Sequence, residues 1–307
     1  MTINRMEPTH SRIQLIAVDL DGTLIGKDLT IPVHNRRALQ AAMKAGCWAT
    51  IATGRSFIPT VRYAHELELN APLLLYQGAL IQDHWTGRII HRETLPLPLA
   101  REVAALAADH ELVTQVHDED GTAFTDRCNP IRPLMQTITG IPTTPVDDLV
   151  TWLHRPPLKF LFLAQPDQVE SLLQMLRVHF DGRVEVVRSH AHIVEITAPG
   201  VSKGHGLSVL ASHLGVAREA TLAIGDHDND ADMLAWAGLG IAMHNASPAA
   251  LAAADRVAPP QIPGLTRENA PLARTGDYRG DGAVPPTEPH DEAVAWAVER
   301  YVLGATA

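Results

Sequence analysis

Cysteine is scarce in this chain, with Cys47 and Cys128 the only two among 307 residues. Two thiols cannot build a disulfide framework, and no Cys-His cluster of zinc spacing accompanies them. Positive charge is also in short supply: 25 Lys and Arg face 35 Asp and Glu, a net charge of −10. That balance argues against a general nucleic-acid or anionic-membrane binder, and an anionic substrate would need a local cation. No apolar run approaches the ~20 residues of a membrane span. The polar start, Met1 to Arg12, lacks the apolar core of a secretory signal. No internal repeat is visible. The sixteen histidines, His190, His192, His205 and His213 among them, are scattered singly and read as ordinary surface or core residues. The expectation is a cytoplasmic globular protein, monomer or homodimer, long enough for one large domain or two ordinary ones.

What is present begins with Leu15-Ile16-Ala17-Val18-Asp19-Leu20-Asp21-Gly22-Thr23-Leu24. The apolar run reads as a strand buried on both faces, as in a parallel sheet. Alternation along an extended chain turns Asp19 and Asp21 to one side at its carboxyl end, where open α/β sheets bind ligands. Two carboxylates about 4 Å apart repel by roughly 4 kcal/mol at an effective dielectric near 20. A cation, a shared proton or a real separation must offset this, and a hard, oxygen-seeking ion such as Mg²⁺ suits the pair.

Strand and helix then alternate at a regular pace, which predicts a doubly wound, Rossmann-like parallel sheet. Thr53-Gly54-Arg55 follows a second strand, Cys47–Ala52, and Gln77-Gly78 follows a third, Pro72–Tyr76. Near Asp83 the texture changes, with a hairpin signal at Thr86-Gly87 and less regular elements to about Val187. An α+β insert over 83–188 is expected inside a core made of 12–82 and 189–307. The regular pattern resumes with Val201-Ser202-Lys203-Gly204 opening a helix. A strand at Thr221–Ile224 then runs into Gly225-Asp226-His227-Asp228-Asn229-Asp230. Pro, Gly and charge over 259–289 predict a loop outside the core, before a last amphipathic helix at about 291–302.

Taken in order, Asp19-Leu20-Asp21-Gly22-Thr23-Leu24, Thr53-Gly54-Arg55, Lys203 and Gly225-Asp226-x-x-Asn229-Asp230 resemble the four motifs of the haloacid dehalogenase superfamily. The insert between the second and third resembles the cap of its Cof-like phosphatase branch. The resemblance covers about residues 12–258. It implies a Mg²⁺-dependent phosphatase of small phosphorylated metabolites, with sugar phosphates first and flavin-pathway or pyridoxal phosphates also in reach. A carboxylate that attacks phosphorus splits one hard displacement into two easier ones. Asp19, which ends the strand, is the candidate nucleophile, and Asp21 the candidate general acid–base.

By resemblance Asp19, the Asp21 carbonyl and Asp226 ligate the metal, and Asp230 is a ligand or supports one. Thr53, Gly54 and Asn229 are expected around the phosphate, and Lys203 between Asp19 and a phosphate oxygen. Arg55 either reaches substrate or lies on the helix surface, and Asp228 is expected in water. Three departures stand out: Gln77 where the family commonly has Asn, His227 where glycine is frequent, and the length of 259–289. His227 reads as merely exposed. Two rivals remain, a phosphosugar mutase of the same superfamily and a phospho-accepting signalling module. The lid-sized insert and Asp21 argue against the second.

Overall fold

The computed structural model describes residues 12–118, 120–127, 136, 139–260 and 292–304. In chain order, the first part runs β1 (Leu15–Asp19), α1 (Val33–Lys44), β2 (Trp48–Ala52), α2 (Phe57–Leu67), β3 (Leu73–Leu75), β4 (Leu80–Gln82) and β5 (Ile89–Arg92). Next come α3 (Leu97–Asp109), β6 (Val113–His117), β7 (Ala123–Asp126), β8 (Thr143–Val146), α4 (Leu149–Trp152), β9 (Lys159–Leu163), α5 (Pro166–Phe180), β10 (Glu185–His190) and β11 (Ile193–Thr197). The last part is α6 (Lys203–Leu214), β12 (Thr221–Gly225), α7 (Ala231–Trp236), β13 (Leu239–Ala242), α8 (Pro248–Ala253), β14 (Arg256–Val257) and α9 (Ala293–Tyr301).

All five residues of β1 are buried, as its unbroken apolar run requires. It lies between β12 and β2, parallel to both, with Leu15 opposite Thr221 on one side and Trp48 on the other. The sheet has eight strands in the order β14-β13-β12-β1-β2-β3-β4-β5. The strands from β14 to β3 are parallel, and β4 and β5 close the far edge antiparallel. Strand order reverses between β1 and β12, so a crevice for ligands falls at the carboxyl end of β1. This is the doubly wound parallel-sheet core expected from the sequence.

A second, six-stranded sheet, β10-β11-β9-β6-β7-β8, is antiparallel apart from the β7–β8 pair. It has its own apolar core, with Phe160, Phe162, Leu173 and Val194, separate from that of Ile16, Ile51, Leu74 and Ile224. The chain crosses between the sheets at places other than 82 and 188. The Thr86-Gly87 signal is a hairpin of the first sheet, because β5 pairs back onto β4. The first crossing therefore follows Arg92. β11 inserts between β10 and β9, so the return follows Thr197 rather than Arg188. An apolar strand such as Ile193–Ile196 fits the interior of either sheet, which is why its sequence does not say where it belongs.

The expected loop over 259–289 lies almost wholly outside the described residues, as does Cys128; Cys47 is free and buried. Among the described residues no helix is long and apolar enough to cross a membrane. Beyond the gap α9 packs on α1. The fully buried Asn35 of α1 accepts a hydrogen bond from the Ala295 amide at 2.9 Å. Asn35→Ala leaves that amide without its acceptor, so urea unfolding should show a loss of about 1–3 kcal/mol. Activity per folded molecule should be largely unchanged, because this hydrogen bond joins α1 to α9 and involves none of Asp19, Asp226, Asp230 and Lys203.

Candidate active site

β1 stops at Asp19 because the next residues coil back on themselves. Leu24 N donates to Asp19 O at 3.2 Å, Ile25 N to Leu20 O at 2.9 Å, and Gly22 N to Ile25 O at 3.1 Å. Gly22 makes the turn possible with φ +87°, and a Cβ there would lie 2.5 Å from Asp226 Oδ2. Extended alternation therefore does not continue to Asp21. Asp19 is buried and Asp21 is half exposed, so the two carboxylates have different partners.

The Asp19 partner is Lys203, the first residue of α6. Its Nζ lies 2.5 Å from Asp19 Oδ1 and 2.6 Å from Asp230 Oδ1, with all three groups buried. Ser202 caps the helix by accepting from His205 N at 3.1 Å. Close approach of α6 to the turn after β3 needs Gly78, where a Cβ would lie 2.3 Å from Ser202 O. Asp230 is held in place through Oδ2, which accepts from the amides of Asp226 (3.0 Å) and His227 (2.9 Å). Both of its oxygens are thus engaged.

Asp226, also buried, accepts from Thr23 Oγ1 at 2.9 Å and meets His227 Nδ1 at 2.5 Å. His227 is exposed, as expected, and its ring also meets the Asp226 carboxylate. Its contact with Asp226 outweighs burial and raises its pKa. Arg55, which precedes α2 rather than lying on its surface, turns to Asp21. It grips Asp21 with two hydrogen bonds, Nε to Oδ2 at 2.7 Å and Nη2 to Oδ1 at 2.5 Å. Thr53 is buried at the end of β2, and its hydroxyl accepts from Arg55 N at 3.1 Å. Asp228 is exposed, as expected.

Behind Gly54 lies a second buried network. Lys159 of β9 donates to Gly54 O and to Glu195 Oε1 of β11, both at 2.8 Å. Gln77 donates to Glu195 Oε2 and accepts from Asn229 Nδ2, each at 3.0 Å. The chain from the second sheet to the Asp226–Asp230 turn is thus continuous. The structure brings Asn229 to Gln77 rather than to the Lys203 cluster. Gln77 is longer than Asn and spans both neighbours, and it does so at φ +61°, a strained setting for a residue other than glycine.

A haloacid dehalogenase-like hydrolase family model matches residues 16–261. The chain belongs to the haloacid dehalogenase-like hydrolases. Within them it falls in the Cof-like phosphatase branch. It is 30% identical over 242 residues to 5-amino-6-(5-phospho-D-ribitylamino)uracil phosphatase YitU of Bacillus subtilis, covering 75% of this chain and 86% of that protein. A haloacid dehalogenase-like hydrolase of Bacteroides thetaiotaomicron superimposes with a TM-score of 0.70 at 27% identity, over 80% of this chain and 94% of that one. A match of 28% over 261 residues to Endoribonuclease YBEY, chloroplastic, of Arabidopsis thaliana takes in 80% of this chain but only 44% of that protein. That name describes a much longer polypeptide.

Hydrolases of this family generally use a metal ion. The donor set here fits one: Asp19, Asp226 and Asp230 each offer a carboxylate oxygen, mutually within 4.8 Å, and all three are buried. One ammonium does not balance three buried carboxylates. Burial, then Asp230, push the Asp19 carboxyl well above its usual range, and Asp226 and Asp21 add to this while Lys203 opposes it. Burial alone would discharge Lys203, but Asp19 and Asp230 overcome it and hold the ammonium charged. A further hard cation among the oxygens removes the excess.

Sequence reasoning gave no role to Thr23, Lys159 or Glu195. Thr23 lay within the first motif. Lys159 and Glu195 signalled themselves as opposite charges inside apolar strands, Lys-Phe-Leu-Phe-Leu and Ile-Val-Glu-Ile-Thr. Lys159→Met leaves Glu195 buried without its counter-ion and should cost about 3–5 kcal/mol in urea unfolding. The double variant Lys159→Met, Glu195→Leu should regain most of that. Equal losses in single and double variants would place the cost elsewhere.

Proposed function

We propose that this hydrolase is a Mg²⁺-dependent phosphatase of small phosphorylated metabolites, sugar phosphates foremost, working through an aspartyl phosphate on Asp19. The observation that carries the proposal is the buried Lys203 ammonium shared by Asp19 and Asp230 beside Asp226, at the strand-order switch. Asp19, Asp226 and the Asp21 carbonyl would hold the ion, with Asp230 behind them. When bound, it neutralises the carboxylates and the phosphoryl oxygens.

Asp19 attacks phosphorus with one carboxylate oxygen as the ester P–O bond breaks, and Asp21 delivers a proton to the leaving oxygen. A water then attacks the acyl phosphate while Asp21 takes its proton, releasing phosphate and restoring Asp19. Each Asp21 oxygen keeps a lone pair beside its Arg55 hydrogen bond, so Arg55 can aim the carboxyl without blocking proton transfer. Lys203 orients Asp19 and offers its remaining N–H to a phosphoryl oxygen. The Thr53 hydroxyl, whose oxygen already accepts from Arg55 N, has its proton to give; Gly54 and Asn229 complete the phosphate surround in this reading.

We assign the six-stranded sheet and its helices, between the crossings after Arg92 and Thr197, to a specificity cap. A flavin-pathway phosphate is the second substrate class, supported by the likeness to YitU. A cytoplasmic monomer or homodimer, without nucleic-acid or membrane partners, belongs to the same proposal.

A screen of phosphate esters with and without Mg²⁺ tests the activity. Chelation should abolish turnover and Mg²⁺ restore it; full rates in metal-free buffer would refute metal dependence. Strict need for a bisphosphate activator would instead indicate a mutase. Asp21→Asn should slow alkyl phosphate turnover by about 10²–10⁴-fold. With a good leaving group it should accumulate a hydroxylamine-labile phosphoenzyme, seen as a mass gain of one phosphoryl group. Asp19→Asn should form none, and a phosphoenzyme mapped to Asp21 in that variant would reverse the two roles.

A further inference from the structure

Outside the β1 crevice, a second group of metal-ligating side chains converges on the surface. Glu93, the residue after β5, receives both His91 Nε2 (2.9 Å) and His205 Nε2 (2.8 Å) on the same oxygen, Oε1. Donor atoms of all three lie within 4.8 Å of one another. We infer that His91, Glu93 and His205 form a binding site for a borderline-soft divalent metal, Zn²⁺ above all, separate from the Asp19 cluster and independent of the phosphatase reading.

Two imidazoles and one carboxylate are a recognised zinc donor set, with water in the fourth position. Mg²⁺ prefers oxygen ligands, so the two sites sort the two metals by donor chemistry. Metal–ligand bonds of about 2.0–2.2 Å in a tetrahedron put neighbouring donors about 3.3 Å apart. Each imidazole needs to withdraw by about half an ångström from Glu93 Oε1, and the His91 and His205 donors, within 4.8 Å of each other, settle to the same spacing. Each imidazole must also turn its Nε2 lone pair inward, which a shift of the ring proton to Nδ1 achieves without net charge.

The backbone beneath the three donors is already fixed. His91 is paired with Ile81 in the sheet, and Glu93 N donates to Ala79 O at 2.7 Å. His205 lies in the first turn of α6, where its amide bonds Ser202 Oγ. The helix dipole opposes a cation there, and the Glu93 charge answers it. A bound ion would tie the point where the chain leaves the first sheet to the helix that begins with Lys203. It would stabilise the fold without touching Asp19.

Zinc binding measured by equilibrium dialysis, with millimolar Mg²⁺ present throughout, tests this. Wild type should take up one Zn²⁺ per chain at micromolar free metal and melt at a higher temperature. His91→Ala and His205→Ala should each weaken uptake at least tenfold and lose the melting shift. Asp226→Asn should keep both. Should either histidine variant fold poorly, Co²⁺ in the wild-type protein decides. Intense visible bands of a four- or five-coordinate nitrogen site support the proposal, and the faint bands of a six-coordinate oxygen site overturn it. Absent uptake, uptake unchanged in both histidine variants, or uptake lost only in Asp226→Asn would equally overturn it.

Discussion

An ammonium sealed from water survives only if anions surround it, and the Lys203 group between Asp19 and Asp230 imposes that demand on its whole neighbourhood. The demand works in both directions, since neither carboxylate tolerates burial alone. Each element nearby is therefore held in place by contacts of its own. The start of α6 is fixed by the Ser202 cap and by contact with Gly78. Asp230 is fixed by two amides of its own turn, and Asp19 by the coil that ends β1. A cluster so arranged is already shaped for a cation before one arrives, and the ordering entropy has been met by folding.

The same solution appears a second time where the two sheets meet. Lys159 and Glu195 come from strands of the second sheet, yet their hydrogen bonds end on Gly54 and Gln77 of the first. Gln77 then passes the contact to Asn229 in the turn that carries Asp226 and Asp230. Displacement of one sheet from the other would break charge-assisted hydrogen bonds next to the site. The junction of the two sheets and the geometry of the Asp226–Asp230 turn thus share one set of hydrogen bonds.

Much of this was legible in the chain. A strand buried on both faces must be apolar throughout, so Leu15–Val18 announced the centre of a parallel sheet, and the aspartates behind it announced a ligand site. What escaped the sequence did so for local reasons. Alternation suggested that Asp19 and Asp21 act side by side, but Gly22 ends the strand and sends Asp21 to Arg55. The crossings were misplaced because a hairpin signal reads the same at a domain boundary and at a sheet edge. His205 and Glu93 are 112 positions apart, so no spacing could reveal their contact. The partnership of His227 with Asp226 needs only adjacency, yet adjacency alone does not tell contact from exposure.

The pairing of β1 with β12 has a consequence in time. Lys203 follows Asp19 by 184 positions, and the strand beside β1 comes later still. At a synthesis rate of roughly 5–20 residues per second, β1 would wait on the order of 10–40 s for that half of the sheet. Throughout that interval Asp19 sits at an unfinished edge with its charge in water, and the second sheet, with a core of its own, can fold first. The Asp19 end of the first sheet is thus completed late: the second sheet, whose last strand ends at Thr197, can be whole before β12 is added beside β1.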